Sequence, residues 1–206
     1  MKIICDQEKL WTKEWKKGKV LLVNNFAKRS LLEIKKQRNL KTILDLGCGS
    51  GQDAVFFAEH GFRVTAVDFS EAGLSSISGD IPNLKKICSG INELKLKPNS
   101  FDVIYAHLSL HYFDDKTTTK IFTNLFKALN NGGLIFVKCK SIDDSLYGLG
   151  EEVGRDIYYY KKQYRHFFSK DYMLEKLSSF KIIKIRKSTS VYHNFKSSFI
   201  EAVARK

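Results

Sequence analysis

The chain has 206 residues, 43% of them hydrophobic and 28% charged, which is the composition of one ordinary globular domain and excludes disorder, collagen and coiled coil. No apolar run approaches the ~18 residues of a membrane span, and the opening MKIICDQEKLW is too charged for a signal peptide. Cys5, Cys48, Cys88 and Cys139 show no CxxC spacing, so free thiols in a reducing cytoplasm are expected. The net charge of +13 is uneven. Residues 1–40 carry 11 Lys and Arg against 4 Asp and Glu (+7), residues 41–154 carry 11 against 14 (−3), and residues 155–206 carry 13 against 4 (+9). Basic ends suit nucleic acid, but 28 Lys against 7 Arg makes a poor surface for bidentate phosphate recognition, and a solvated lysine face is the simpler reading.

In chain order, residues 7–37 show helical spacing interrupted at Gly18, so two helices precede the first strand; Trp11 and Trp15 share one face four residues apart. The run TILDLG, Thr42 to Gly47, predicts a buried parallel strand broken at once by glycine. Gly47, Gly49 and Gly51 alternate before AVFFAEH, a helical pattern that ends at Gly61, and FRVTAVDFS predicts a second strand closing on Asp68. KKICS (85–89) is a weak third strand, FDVIYAHL a fourth, and TTTKIFTNLFKALNNGG a helix with an Asn-Gly stop. LIFVKCK, KIIKIRKS and SSFIEAVAR predict strands five to seven, with a helix over KDYMLEKLSSF between the first two. Strands alternating with helices argue an α/β fold with a mostly parallel sheet covered on both faces, as one domain over residues 1–206. Residues 141–168 show no regular period, carry five tyrosines and two phenylalanines, and follow strand five at the ligand-binding edge; a substrate lid is expected there.

A strand, a glycine turn, a helix and a second strand ending in an acid make a nucleoside-cofactor site. Glycines let the backbone approach the ligand, and a second-strand carboxylate accepts from ribose hydroxyls. Asp45 and Asp53 flank the glycines, which disfavours a diphosphate at the helix N-terminus and suits a ligand with a positive centre and an amino group. S-adenosylmethionine has both.

On these residues the chain resembles the class I S-adenosylmethionine-dependent methyltransferases. ILDLGCGSGQD (43–53) is similar to their first motif, VTAVDFS (64–70) to the second-strand motif, and NSFDVIYAHLSLHYF (99–113) to the fourth strand and its loop. NNGGLIFVK (130–138) resembles the fifth strand and FKSSFIEAVARK (195–206) the closing strand of small members, among them the tellurite-resistance type. The resemblance implies a Rossmann-like doubly wound sheet of seven strands, whose last strand runs antiparallel between strands five and six. It implies a cofactor site drawn from Asp45, Gly47, Cys48, Gly49, Gly51, Asp68, Phe69, Ala106 and His107. Gly90 stands where the family often has an adenine-binding acid, so the backbone around Ser89 to Ile91, or Asn92, takes that role. His107 and His111, or a lid tyrosine, are the candidate bases, and no metal is expected because no His, Cys and carboxylate cluster has ligand spacing. The expected activity is methyl transfer to a small-molecule acceptor by a monomer or weak dimer. The alternative is an RNA acceptor held by the basic ends, and a nicotinamide-dependent oxidoreductase or a catalytically silent nucleoside-binding module stands third.

Overall fold

The apolar runs of the sequence become the inner strands of a seven-stranded sheet in the order β3-β2-β1-β4-β5-β10-β9. A computed structural model describes residues 2–15, 22–192 and 195–206 of the chain, so Gly18 and the side chain of Cys5 lie outside the described residues. The strands are β1 (Thr42–Leu46), β2 (Arg63–Asp68), β3 (Leu84–Cys88), β4 (Phe101–His107), β5 (Leu129–Lys140), β9 (Lys181–Tyr192) and β10 (Phe195–Arg205). Five of them pair in parallel, and β10 runs antiparallel to both β5 and β9. This is the Rossmann-like arrangement with the expected inserted last strand.

Side-chain alternation assigns each face. On β1 and β4, Ile43, Val103 and Tyr105 pack under α2 (Asn25–Lys35) and α3 (Gln52–Glu59) with Phe26, Ile34 and Phe57. Leu44, Leu46, Ile104 and Ala106 face α5 (Asp115–Ala128) and α6 (Lys170–Lys176) with Phe122, Leu125 and Met173. Two helices remain, α1 (Lys2–Trp15) and the short α4 (Glu71–Ser75). The strand order reverses between β1 and β4, and their carboxyl ends open the crevice where ligands of such sheets bind.

Three expectations shift. The helix expected to stop at Asn131-Gly132 ends at Ala128, because residues 129–133 are already drawn into β5; Gly132 turns there at φ +78°. The sixth strand runs on to Tyr192, since it pairs antiparallel with β10 from Lys181↔Arg205 out to Tyr192↔Phe195. Residues 141–168 are not irregular: they contain a separate antiparallel sheet of β6 (Glu151–Gly154), β7 (Ile157–Tyr160) and β8 (Gln163–His166). Strands of four residues are too short to show an alternating pattern. Gly150 in this segment is closely packed: its φ is +90°, and an added Cβ would meet the Tyr159 carbonyl oxygen at 2.2 Å.

Asp102 clasps the opposite end of the sheet. Its carboxylate accepts from the Lys41 and Thr42 amides, the Thr42 hydroxyl and the Asn130 amide. Burial pushes its pKa up, but these bonds outweigh that and hold it below the usual carboxylate value. A depressed carboxyl contributes stability above its unfolded pKa that is lost as pH falls through the folded one. Asp102→Ala is therefore expected to lower unfolding free energy at neutral pH by roughly 1–3 kcal/mol, with the gap to wild type closing below about pH 4, as read by denaturant titration across pH.

Candidate functional site

The glycine loop is built by backbone bonds first. The amides of Gly47 and Cys48 both donate to the Val67 carbonyl, at 2.8 and 3.0 Å, and Gly51 closes a turn on the Cys48 carbonyl at 2.9 Å. Gly47 and Gly51 have φ of +70° and +77°, and added Cβ atoms would lie 2.4 Å from Ser109 and from Ile77. Only glycine fits either place. Cys48 is a buried filler, whose thiol pKa is pushed well up by burial and by Asp45 and Asp68, so it is no nucleophile.

Asp68 closes β2 with both carboxylate oxygens engaged: Oδ2 accepts from the Gly49 amide and Oδ1 from the Ser70 amide, each at 2.8 Å. Burial raises its pKa, while the amides of Ser70, Gly49 and Phe69 draw it back. Its first role is thus to brace the loop; each oxygen keeps a further lone pair for a ligand. Asp45 is buried beside it with Oδ2 unpartnered, and burial, then Asp53 and Asp68, push its pKa well above the usual range. Asp53, in the first turn of α3, is held by Asn24 and by the Tyr105 hydroxyl at 3.0 Å. Beyond β3, Ser89 donates to the Asp68 carbonyl, and residues 90–94 fold into a turn in which Glu93 and Leu94 donate to the Gly90 carbonyl. Asn92 Oδ1 would lie 3.0 Å from a Cβ on Gly90, and Ile91 reaches over Gly47.

The end of β4 divides the remaining candidates. Ala106 is fully buried on the α5 and α6 face, so its side chain belongs to the core and cannot line the crevice. His107 lies on the other face, stacked on Phe26, with Nδ1 3.3 Å from the Asn24 amide nitrogen. Leu108 then takes a left-handed φ of +58°, unusual for a bulky residue, and turns the chain into a 3-10 turn at Leu110–Tyr112. His111 is buried there with Nδ1 unpartnered. Burial, with Lys138 beside it, pushes His107 down to about 3, and burial with Arg165 pushes His111 well down. Both stay neutral and are weak bases. His60 and His166 are structural: each ring bonds a carbonyl, of Phe56 and Phe113 respectively.

An aromatic row, whose only trace in the sequence is the Trp11–Trp15 spacing, roofs the loop. The Trp15 indole lies against Gly49 and Gly73, Trp11 stacks on it at 6.1 Å between centroids, and Tyr112 meets Trp11 edge-on at 6.0 Å. Sequence reasoning missed Asn24, Tyr105, Ser109, Tyr112 and Arg165 here, because nothing local marks an asparagine, serine or arginine as facing a crevice formed by distant strands.

Residues 43–133 match the family model of the methyltransferase domain. A segment of 104 residues is 33% identical to phosphoethanolamine N-methyltransferase 1 of Triticum aestivum, over 48% of this chain and 21% of that one, so the chain covers about a fifth of the length of that plant enzyme. Among solved structures, an S-adenosylmethionine-dependent methyltransferase of Methanosarcina mazei superposes with a TM-score of 0.74 at 16% identity, over 90% of this chain and 99% of its own. The 1,6-didemethyltoxoflavin-N1-methyltransferase of Burkholderia thailandensis, solved with 1,6-didemethyltoxoflavin and S-adenosylhomocysteine, does so at 0.67 and 20%, over 88% and 77%. By the family match over residues 43–133 and by this fold, the chain is similar to the class I S-adenosylmethionine-dependent methyltransferases. The likeness reaches the class and does not single out the tellurite-resistance type.

The residues fit that cofactor. Asp45 presents a buried, unpartnered carboxylate oxygen in a crevice with two further acids, a place for a cationic or ammonium group and not for a diphosphate. A carboxyl raised in the folded state loses stability as pH climbs from its unfolded value towards the folded one, so at neutral pH Asp45 strains the free chain. Asp45→Asn is expected to raise the melting temperature of the ligand-free chain at neutral pH, with no gain below about pH 4, and to weaken S-adenosylhomocysteine binding. Calorimetry and thermal melts across pH check both.

Proposed function

We propose that this chain transfers a methyl group from S-adenosylmethionine to a small-molecule acceptor. The observation that carries the reading is the acidic glycine cradle at the reversal of strand order, roofed by Trp15, Trp11 and Tyr112. Bound there, the cofactor supplies a sulfonium methyl that a nucleophile can take in line. Asp68 is assigned to the ribose hydroxyls, Asp45 and Asp53 to the positive end of the donor, and the turn at Ser89 to Asn92 to the adenine. Cys48 and Phe69 are assigned to line the cradle through their backbone. Such a transfer needs alignment and exclusion of water more than proton transfer, and positioning alone supplies up to ~7–11 kcal/mol. The poor basicity of His107 and His111 is compatible with that, and their role is to line the acceptor space.

A small acceptor is favoured by enclosure. The β6–β8 sheet follows β5 at the carboxyl edge and packs on the 3-10 turn and on α1, as a lid over the space beside the cradle. The names of the relatives, a phosphoethanolamine and a didemethyltoxoflavin methyltransferase, point the same way. Incubating the chain with labelled donor and separate metabolite and RNA pools is expected to label the metabolites. Label confined to RNA would move the acceptor to the nucleic-acid alternative, and label in neither pool would count against transfer. Asp68→Ala, which removes charge-assisted bonds to the ribose, is expected to weaken S-adenosylhomocysteine binding about tenfold or more and to stop labelling. Unchanged affinity would defeat the assignment.

A further inference from the structure

Arg165 sits on β8, half-buried, where the lid sheet packs on the turn that carries His111 and Tyr112. Its guanidinium makes one long hydrogen bond, Nη1 to the Tyr160 carbonyl at 3.4 Å, and among the described residues no carboxylate lies within ion-pair distance of it. Other cations buried at this edge are neutralised: Lys138 by Glu201 at 3.4 Å, Lys140 by Asp144 at 2.7 Å and Lys176 by Asp115 at 2.6 Å. A half-buried guanidinium with five donors and a single protein acceptor has donors to spare for a ligand.

His111 supplies a second, independent sign. It is 1% exposed, and its Nδ1 has no partner. The groups that act on its ring are Arg165, Lys140, His107 and His166, with no carboxylate among them. Tyr112, beside Arg165, keeps its phenol proton, since burial pushes it up to about 12. Arg165, His111 and Tyr112 are thus brought together by the packing of β8 on the 3-10 turn, and Asp144, the carboxylate that acts on Arg165, is already paired with Lys140 at 2.7 Å. The cradle of Asp45, Asp53 and Asp68 carries the sign opposite to that of Arg165, on the far side of the Trp15–Trp11–Tyr112 row.

We propose that Arg165, with His111 and Tyr112, forms a subsite for an anionic group, a carboxylate or a phosphate, on the methyl acceptor. The proposal rests on the methyltransferase reading and narrows it to acceptors that carry such a group beside the nucleophile. The acidic cradle repels the anion and the guanidinium holds it, so the two charges orient the acceptor with its anionic end away from the donor. The planar fork of arginine matches either oxyanion bidentately, which a lysine at the same place would not do.

The test is calorimetric titration of the full chain loaded with S-adenosylhomocysteine, using inorganic phosphate in one arm and acetate in the other, at ionic strength matched with chloride. Wild type is expected to bind at least one of them saturably, and the arm that responds says whether the group is phosphate-like or carboxylate-like. R165Q is expected to weaken that binding about tenfold or more while S-adenosylhomocysteine affinity and melting temperature stay unchanged, with R165K falling between. The subsite is overturned if neither anion binds wild type, or if R165Q binds as tightly. Failure to bind S-adenosylhomocysteine would instead sink the cofactor reading; the same anion titrations on the free chain would then decide the subsite by itself.

Discussion

The carboxylate of Asp68 ties the end of β2 to the glycine loop after β1 and to the start of α4. It takes the amide of Gly49 from the loop after β1 and the amide of Ser70 at the start of α4, each at 2.8 Å. Ser70 in turn caps α4 through Gly73, and Gly73 lies so close to the Gly49 carbonyl that a Cβ would come within 2.8 Å of it. Loop, strand end and helix start are therefore locked as one body. Trp15 rests on that body, against both Gly49 and Gly73. Remove the carboxylate, and the loop loses its brace.

The carboxyl edge of the sheet is electrically divided. Asp45, Asp53 and Asp68 crowd the ends of β1 and β2 and the first turn of α3, where each feels the cost of burial. Lys138 and Lys140 occupy the end of β5, and Glu201 gathers Arg29, Lys138 and Arg186 on β10. Burying like charges together is unfavourable in a free chain, and a ligand of complementary charge relieves it. The acidic side suits a ligand with a positive centre, whereas Lys138 and Lys140 on the other side are paired with Glu201 and Asp144. The strain at Leu108, where β4 turns between the two sides, is in keeping with a place where ligands meet.

Burial accounts for the weak basicity of the histidines at the end of β4: it disfavours the charged imidazolium of both His107 and His111. The β6–β8 sheet is anchored by Phe167, which is fully buried and meets Tyr147 and Tyr158 edge-on.

The β-loop-α-β unit over 42–68, the closing strand and the acids Asp45, Asp53 and Asp68 were legible in the sequence, because glycine spacing, apolar runs and turn residues are local properties of the chain. The parallel order and the covered faces followed from the alternation of strands and helices. Other features had no local signal. Four-residue strands leave no period to read, so the β6–β8 sheet shows only in the pairing of its three successive strands. Ala106 and His107 are neighbours in the chain, yet the pleat sends one into the core and the other to the crevice, and only the register of β4 between β1 and β5 decides which. Whether Asp68 is a free ligand or a brace, and whether Arg165 has a counter-ion, depends on which atoms of remote segments come within hydrogen-bond reach. That is set by packing in three dimensions, which composition and spacing do not encode.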